Sequence, residues 1–276
     1  MRVANATLRG LLAALLIAAP SLLLPSIGDD TSQVVALLGL ALCLLVTVEY
    51  ATIYPSLIEF RDAPPFNRIR FLALFLTVFL LSLMARGVSE QSGLTIFVSA
   101  IGLFAGDALD FTMSPVRLLL NIVPEGAPPG QVALVRAAAG LAFLSAFSAL
   151  MAFWLVVKLS DWPRSMGAFN VWINLPTFDP TTGGDVVKRL RRDGRLNLVI
   201  AMILPFVIPQ VAVMAGVLFG TGTIGEAQSM IWTVAAWAFL PLSLFMRGIA
   251  MIRVSNMIAE KRRRSTETPA ARPAMA

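Results

Sequence analysis

Asp107 and Asp110 stand three residues apart, a spacing that puts two carboxylates on one face of a helix. Such a pair can hold a cation, pass a proton, or grip a diphosphate through a metal. Arg117 follows soon after, and Arg136 falls one turn inside a later apolar run. The Arg136 guanidinium can satisfy either carboxylate and turn the pair into a structural tie, with Glu125 as a further candidate. Glu49 is the ionisable group of another apolar run. Gln210 lies beside Pro209 in a run that also contains Pro205. Proline removes an amide donor and frees a carbonyl one turn back, so a kink there can build a binding site with Gln210 as its polar group.

Other chemistries are excluded by what the sequence lacks. It contains no His, and Cys43, its one cysteine, lies in an apolar run. Intrachain disulfides, Cys/His zinc sites, His-ligated haem and nucleophiles that need a His base all drop out. Oxygen-only metal sites and carboxylate chemistry survive. The string from Asp179 to Asp185, DPTTGGD, lacks the lysine and spacing of a phosphate loop and reads as a turn that starts a helix. The Asp107/Asp110 spacing alone is a weak sign of a lipid-modifying transferase, because it arises by chance on many helices and no basic residues flank it to hold a diphosphate. No cofactor is implied.

The elements that must position these residues are membrane helices. The 276-residue chain is 57% hydrophobic and 14% charged, with mean hydropathy +0.79, against roughly 25% charged residues in a soluble domain. Several runs approach the roughly 20 apolar residues that an α-helix needs to cross about 30 Å of hydrocarbon. The basic excess is nearly all Arg, which points to no nucleic-acid partner.

Taken in order, Leu11 to Ile27 is a first span or uncleaved anchor, with a cleavable signal peptide as the alternative. Gln33 to Tyr54 is the second span and carries Glu49 near its inner end. Arg61, Arg68 and Arg70 mark the next connector as cytoplasmic, and Phe71 to Ala85 returns outward. The stretch from Ser92 to Gly130 decides the topology. Leu94 to Gly106 is too short to cross, and lengthening it would put Asp107 and Asp110 in hydrocarbon at about 2.5 to 3.5 kcal/mol each. Ser114 and Pro115 suit the start of a second short helix, so the stretch reads as a folded-back hairpin on the outer side. Six spans then leave 19 of the 22 Lys and Arg residues cytoplasmic, whereas the alternative of seven spans leaves 15. The positive-inside rule favours six.

Val132 to Val157 is the next span. Ala138, Ala142, Ser145, Ala149 and Ala152 form a stripe of small side chains along it, which predicts close packing at the bundle centre or a subunit seam. Trp154, Trp162 and Trp172 bracket the start of the connection from Lys158 to Arg195 as interfacial anchors would, and Met166 to Phe178 reads as a surface segment. Lys188, Arg189, Arg191 and Arg192 suit anionic headgroups, as do Lys261, Arg262, Arg263 and Arg264 beyond the last span, Ser229 to Ile252.

The expected fold is therefore all-α, a polytopic membrane helix bundle of six transmembrane helices plus an extracytoplasmic helical hairpin. Residues 1–258 form a single domain and residues 259–276 a basic, disordered cytoplasmic tail. The expected location is a bacterial inner membrane with both termini cytoplasmic. No internal repeat is evident. The sequence favours a non-catalytic accessory, assembly or scaffold subunit with a protein partner in the membrane. The alternative is a small-solute or ion transporter subunit working through Asp107, Asp110, Glu49 and Gln210, and a membrane enzyme is the weakest reading.

Overall fold

The structure is a computed structural model that describes residues 2–25, 28–160, 162–163, 169–179, 181, 183–219 and 226–267. Among these residues every regular element is helical. The helices are α1 (Arg2–Leu23), α2 (Asp29–Ala51), α3 (Phe66–Arg86), α4 (Gly93–Leu109), α5 (Pro115–Leu120), α6 (Pro129–Leu159), α7 (Val171–Asn174), α8 (Val186–Phe219) and α9 (Ala227–Glu267). Six of them, α1, α2, α3, α6, α8 and α9, are long and apolar enough to cross a membrane. The fold is a membrane helix bundle. It has a basic end, where α1, α3 and α8 begin, and a hairpin end opposite.

At the hairpin end the chain folds back between α3 and α6. The Ser92 hydroxyl accepts from the Thr95 amide at 3.2 Å while the Thr95 hydroxyl accepts from the Ser92 amide at 2.8 Å, a reciprocal cap that fixes where α4 starts. α4 has 17 residues, about 26 Å at 1.5 Å each, less than the hydrocarbon thickness. The Ser114 hydroxyl accepts from the Arg117 amide at 2.9 Å and starts α5. Val116, Leu119 and Ile122 are buried, and α5 packs against α6 and α8.

The hairpin is seated through backbone contact. A Cβ on Gly140 of α6 would lie 2.2 Å from the Gly106 nitrogen, and one on Gly106 would lie 2.6 Å from the Arg136 carbonyl oxygen. Gly102 and Gly106, four apart on α4, let its backbone lie on α6. The alanine stripe is only partly engaged. Ala138 and Ala142 are fully buried, and the Ser145 hydroxyl lies 2.8 Å from that of Thr77 on α3. Ala149 is half-buried and Ala152 is exposed. The most enclosed span is α9, not α6, and the least is α8.

A second core fills the basic end. Phe60, Phe66, Phe153 and Trp162 stack there, with Leu175, Phe178 and Leu190. The expected surface segment is therefore a folded cap where it is described: Leu175 and Phe178 are buried, and residues 164–168 lie outside the described residues. Trp162 is no interfacial anchor. It is buried and its indole donates to the Pro64 carbonyl at 3.2 Å. Trp154 and Trp172 are exposed.

α9 has 41 residues, about 61 Å and twice the hydrocarbon thickness. It continues past 259 through Lys261–Arg264 to Glu267; residues 268–276 of the expected tail lie outside the described residues. Its last turns pair with the start of α8 as a two-helix stem, closed where Gly194 and Gly248 meet with 2.8 Å between a Gly248 Cβ and the Gly194 carbonyl oxygen.

Replacing Gly140 by Leu must push α4 off α6. It is expected to lower stability by about 1–3 kcal/mol or more in thermal unfolding of the detergent-solubilised protein. Gly130→Ala, at a site with nothing within 4 Å, is expected to leave the transition unchanged or slightly raised.

Candidate functional site

Asp107 and Asp110 end α4, where the fold-back brings them against α5 and α6. Arg136 Nη1 lies 3.1 Å from Asp107 Oδ1, and its Nε lies 3.3 Å from Asp110 Oδ2 without hydrogen-bond alignment. Arg117 Nε donates to the other Asp110 oxygen and its Nη2 to the Asp110 carbonyl at 3.2 Å. Two carboxylates thus face two guanidiniums, and the charges cancel. Asp110 is only 11% exposed, while Asp107 is 64% exposed. The tie pins the hairpin to α6.

Glu49 is buried at the end of α2 and turned onto its own chain. Its carboxylate accepts from the Ser56 hydroxyl at 2.5 Å, the Ser56 and Leu57 amides at 3.1 Å and the Ile58 amide at 3.3 Å. Arg61 completes the cap by donating to the carbonyls of Thr52 at 2.6 Å, Glu49 at 3.1 Å and Ile53 at 3.2 Å. This carboxylate folds the connector.

Gln210 is exposed on α8 and is not brought near the other candidates. The prolines beside it serve packing. Pro209 cannot donate to the Pro205 carbonyl, and Trp237 on α9 does so instead at 2.9 Å.

A site that spacing along the chain does not announce lies at the basic end, centred on Arg247 of α9. Its Nε and Nη2 grip the two oxygens of Glu59 at 2.6 and 2.8 Å. Its Nη1 donates to Asn197 Oδ1 of α8 at 3.1 Å. Thr177 donates to Glu59 at 2.6 Å, and Asn174 accepts from the Asp62 amide at 3.0 Å. Arg70, over the Phe239 ring at 5.6 Å, lies within electrostatic range of both Glu59 and Arg247. One guanidinium therefore joins α8, α9 and both connectors of the cap. An Arg inside the last apolar run was the available signal, but a partner 188 positions away is not readable from the sequence.

The basic residues are partly engaged within the chain. Arg262 donates to Asp185 at 2.7 Å and, with the Val187 amide, holds that carboxyl below the usual aspartate range. Arg191 donates to Asn256 at 3.0 Å, Arg189 to the Asp179 carbonyl at 2.9 Å, and Arg192 to Asp193 at 3.0 Å. Arg264 pairs with Glu260. Lys188, Lys261 and Arg263 are exposed at the same end.

No group of three or more His, Cys, Asp or Glu side chains converges among the described residues. Comparison with family models, with curated proteins and with solved structures found no match to this chain. Chemically, the carboxylates Asp107, Asp110 and Glu59 are each paired with a guanidinium.

Asp110→Asn is expected to cost about 1.5–3 kcal/mol, the range for a hydrogen bond to a charged group, and Asp107→Asn under about 1 kcal/mol as an exposed pair; chemical unfolding of the two variants in detergent measures the difference. At the basic end, a double-mutant cycle on Glu59→Gln and Arg247→Gln should give a coupling of about 1–3 kcal/mol, with faster proteolysis in residues 169–179.

Proposed function

We propose that this protein is a non-catalytic integral membrane subunit that helps assemble or scaffold a larger membrane complex. The observation that carries the reading is the closure of its charged groups. Asp107 and Asp110 are paired to Arg117 and Arg136 at the hairpin end, and Glu49 is spent on capping its own connector. Groups used in this way support shape, not turnover. The exposed basic residues of the stem, Lys188, Lys261 and Arg263 among them, suit anionic headgroups. With the positive-inside rule, this supports a cytoplasmic basic end, both termini there, and a bacterial inner membrane as the location.

A transporter subunit is the second reading, supported by an open basin of about 1160 Å³ at the hairpin end, where Thr31, Ser99, Gln131, Glu226 and Gln228 supply polar groups.

Purification in mild detergent separates the two. The scaffold reading expects other polypeptides to copurify in fixed proportion, and Asp107→Asn to leave that proportion unchanged. A chain that emerges alone, and that carries a solute flux in vesicles which Glu226→Gln abolishes, overturns it.

A further inference from the structure

Gln210 is a polar side chain in a place where lipid cannot serve it. It lies about 21 Å along α8 from Leu196 and about 14 Å from Phe219, well inside hydrocarbon about 30 Å thick. It is exposed, and no side chain or backbone group among the described residues hydrogen-bonds to it. Around it α8 presents Ile203, Phe206, Val207, Val211 and Met214, all exposed. The buried flank of the helix, with Ala201 and Pro209, faces away.

The spacing on the exposed arc is specific. Leu196, Val199, Ile203, Phe206 and Gln210 recur at intervals of three and four, the a and d positions of a heptad, and Gln210 falls on an a position. An unbroken apolar seam would be content in lipid. A single polar a residue is instead the feature that sets register and partner number when two such helices meet. The exposed face of α2, with Leu37, Leu40 and Leu44, carries no such group at its centre.

We infer that α8 pairs with α8 of a second copy of this chain, in parallel, about a two-fold axis along the membrane normal, with the two Gln210 amides bonded to each other. Two copies inserted with one topology run α8 in the same direction, and a two-fold sets identical positions at one height. A glutamine amide both donates and accepts, so the symmetric pair gives each side chain one donated and one accepted hydrogen bond without any other residue. The apolar neighbours on the same arc supply the packing contact. This inference does not draw on the scaffold reading, since self-association is compatible with either proposed function.

The test uses the full chain in phosphatidylcholine/phosphatidylglycerol vesicles. In a Cys43→Ser background with Gln210 intact, a lipophilic copper oxidant should link Ile203→Cys and Phe206→Cys into dimers and leave Leu40→Cys monomeric. Dilution with lipid, followed by energy transfer between labelled copies, should show Gln210→Leu weakening association about 3- to 30-fold, with Gln210→Asn retaining it. At a lipid dilution where the parent is monomeric, thermal unfolding of Gln210→Leu should match the parent, because no described residue of its own chain hydrogen-bonds to the side chain. A monomer at every dilution overturns the inference. So do crosslinks at Leu40 in place of Ile203, a Gln210→Leu dimer as tight as the parent, or a different membrane protein on this face with no self-association.

Discussion

Hydrocarbon offers no hydrogen-bond partner, and the arrangement of polar groups in this protein follows from that one constraint. A backbone crossing the bilayer must satisfy itself, which helices do, and a side chain with charge must reach an end or find a counter-charge. Both outcomes are visible. The four-charge tie of Asp107, Asp110, Arg117 and Arg136 sits at one end and the Glu59–Arg247 grip near the other, with an almost wholly apolar layer between. Three exceptions inside that layer are served locally: Thr77 and Ser82 donate to carbonyls one turn back at 2.7 Å, and Trp237 donates to the carbonyl that Pro209 leaves open.

Because lipid is as apolar as leucine, the spans gain little from burying leucine against one another, and close approach of backbones has to hold them together instead. Glycine supplies it at three crossings. Gly10 admits the Cys43 carbonyl between α1 and α2, Gly106 and Gly140 seat α4 on α6, and Gly194 meets Gly248 between α8 and α9. Alanine can manage the looser contact of α6 with α3, where the Thr77–Ser145 hydroxyl pair adds a polar link. The enclosed spine of the bundle is α9, which touches α1, α3, α6 and α8.

This division explains how much of the molecule was legible in the sequence. Span number, the fold-back and the start of its second helix depend on length, hydropathy and Ser/Pro signals that act over a few residues, and Ser114 stands where such a signal places a helix start. The pairing of Arg136 with the α4 carboxylates was legible too, because the hairpin leaves those charges only a short distance to travel. The Arg247 hub was not, since it is assembled from residues on α8, α9 and two connectors. Nor was the inward turn of Trp162, Leu175 and Phe178, whose apolar character suits a membrane surface as well as a core. The alanine stripe caught a real packing face but missed its tightest point, because the deciding residue is Gly140, which lies off the stripe.

The two least buried spans differ in a way that the same constraint makes informative. α2 packs chiefly on α1 and turns leucines outward, which lipid accepts at no cost. α8 is less enclosed still, yet carries an amide near the centre of its outward arc and two prolines on its inner side. The prolines bring α8 onto Trp237 and so fix which arc faces away from the bundle. That fixed rotation is what leaves Gln210 in lipid: a helix free to turn by half a revolution would have put the amide against α9. The same bond that satisfies the Pro205 carbonyl therefore sets the geometry in which Gln210 needs a partner from outside the chain.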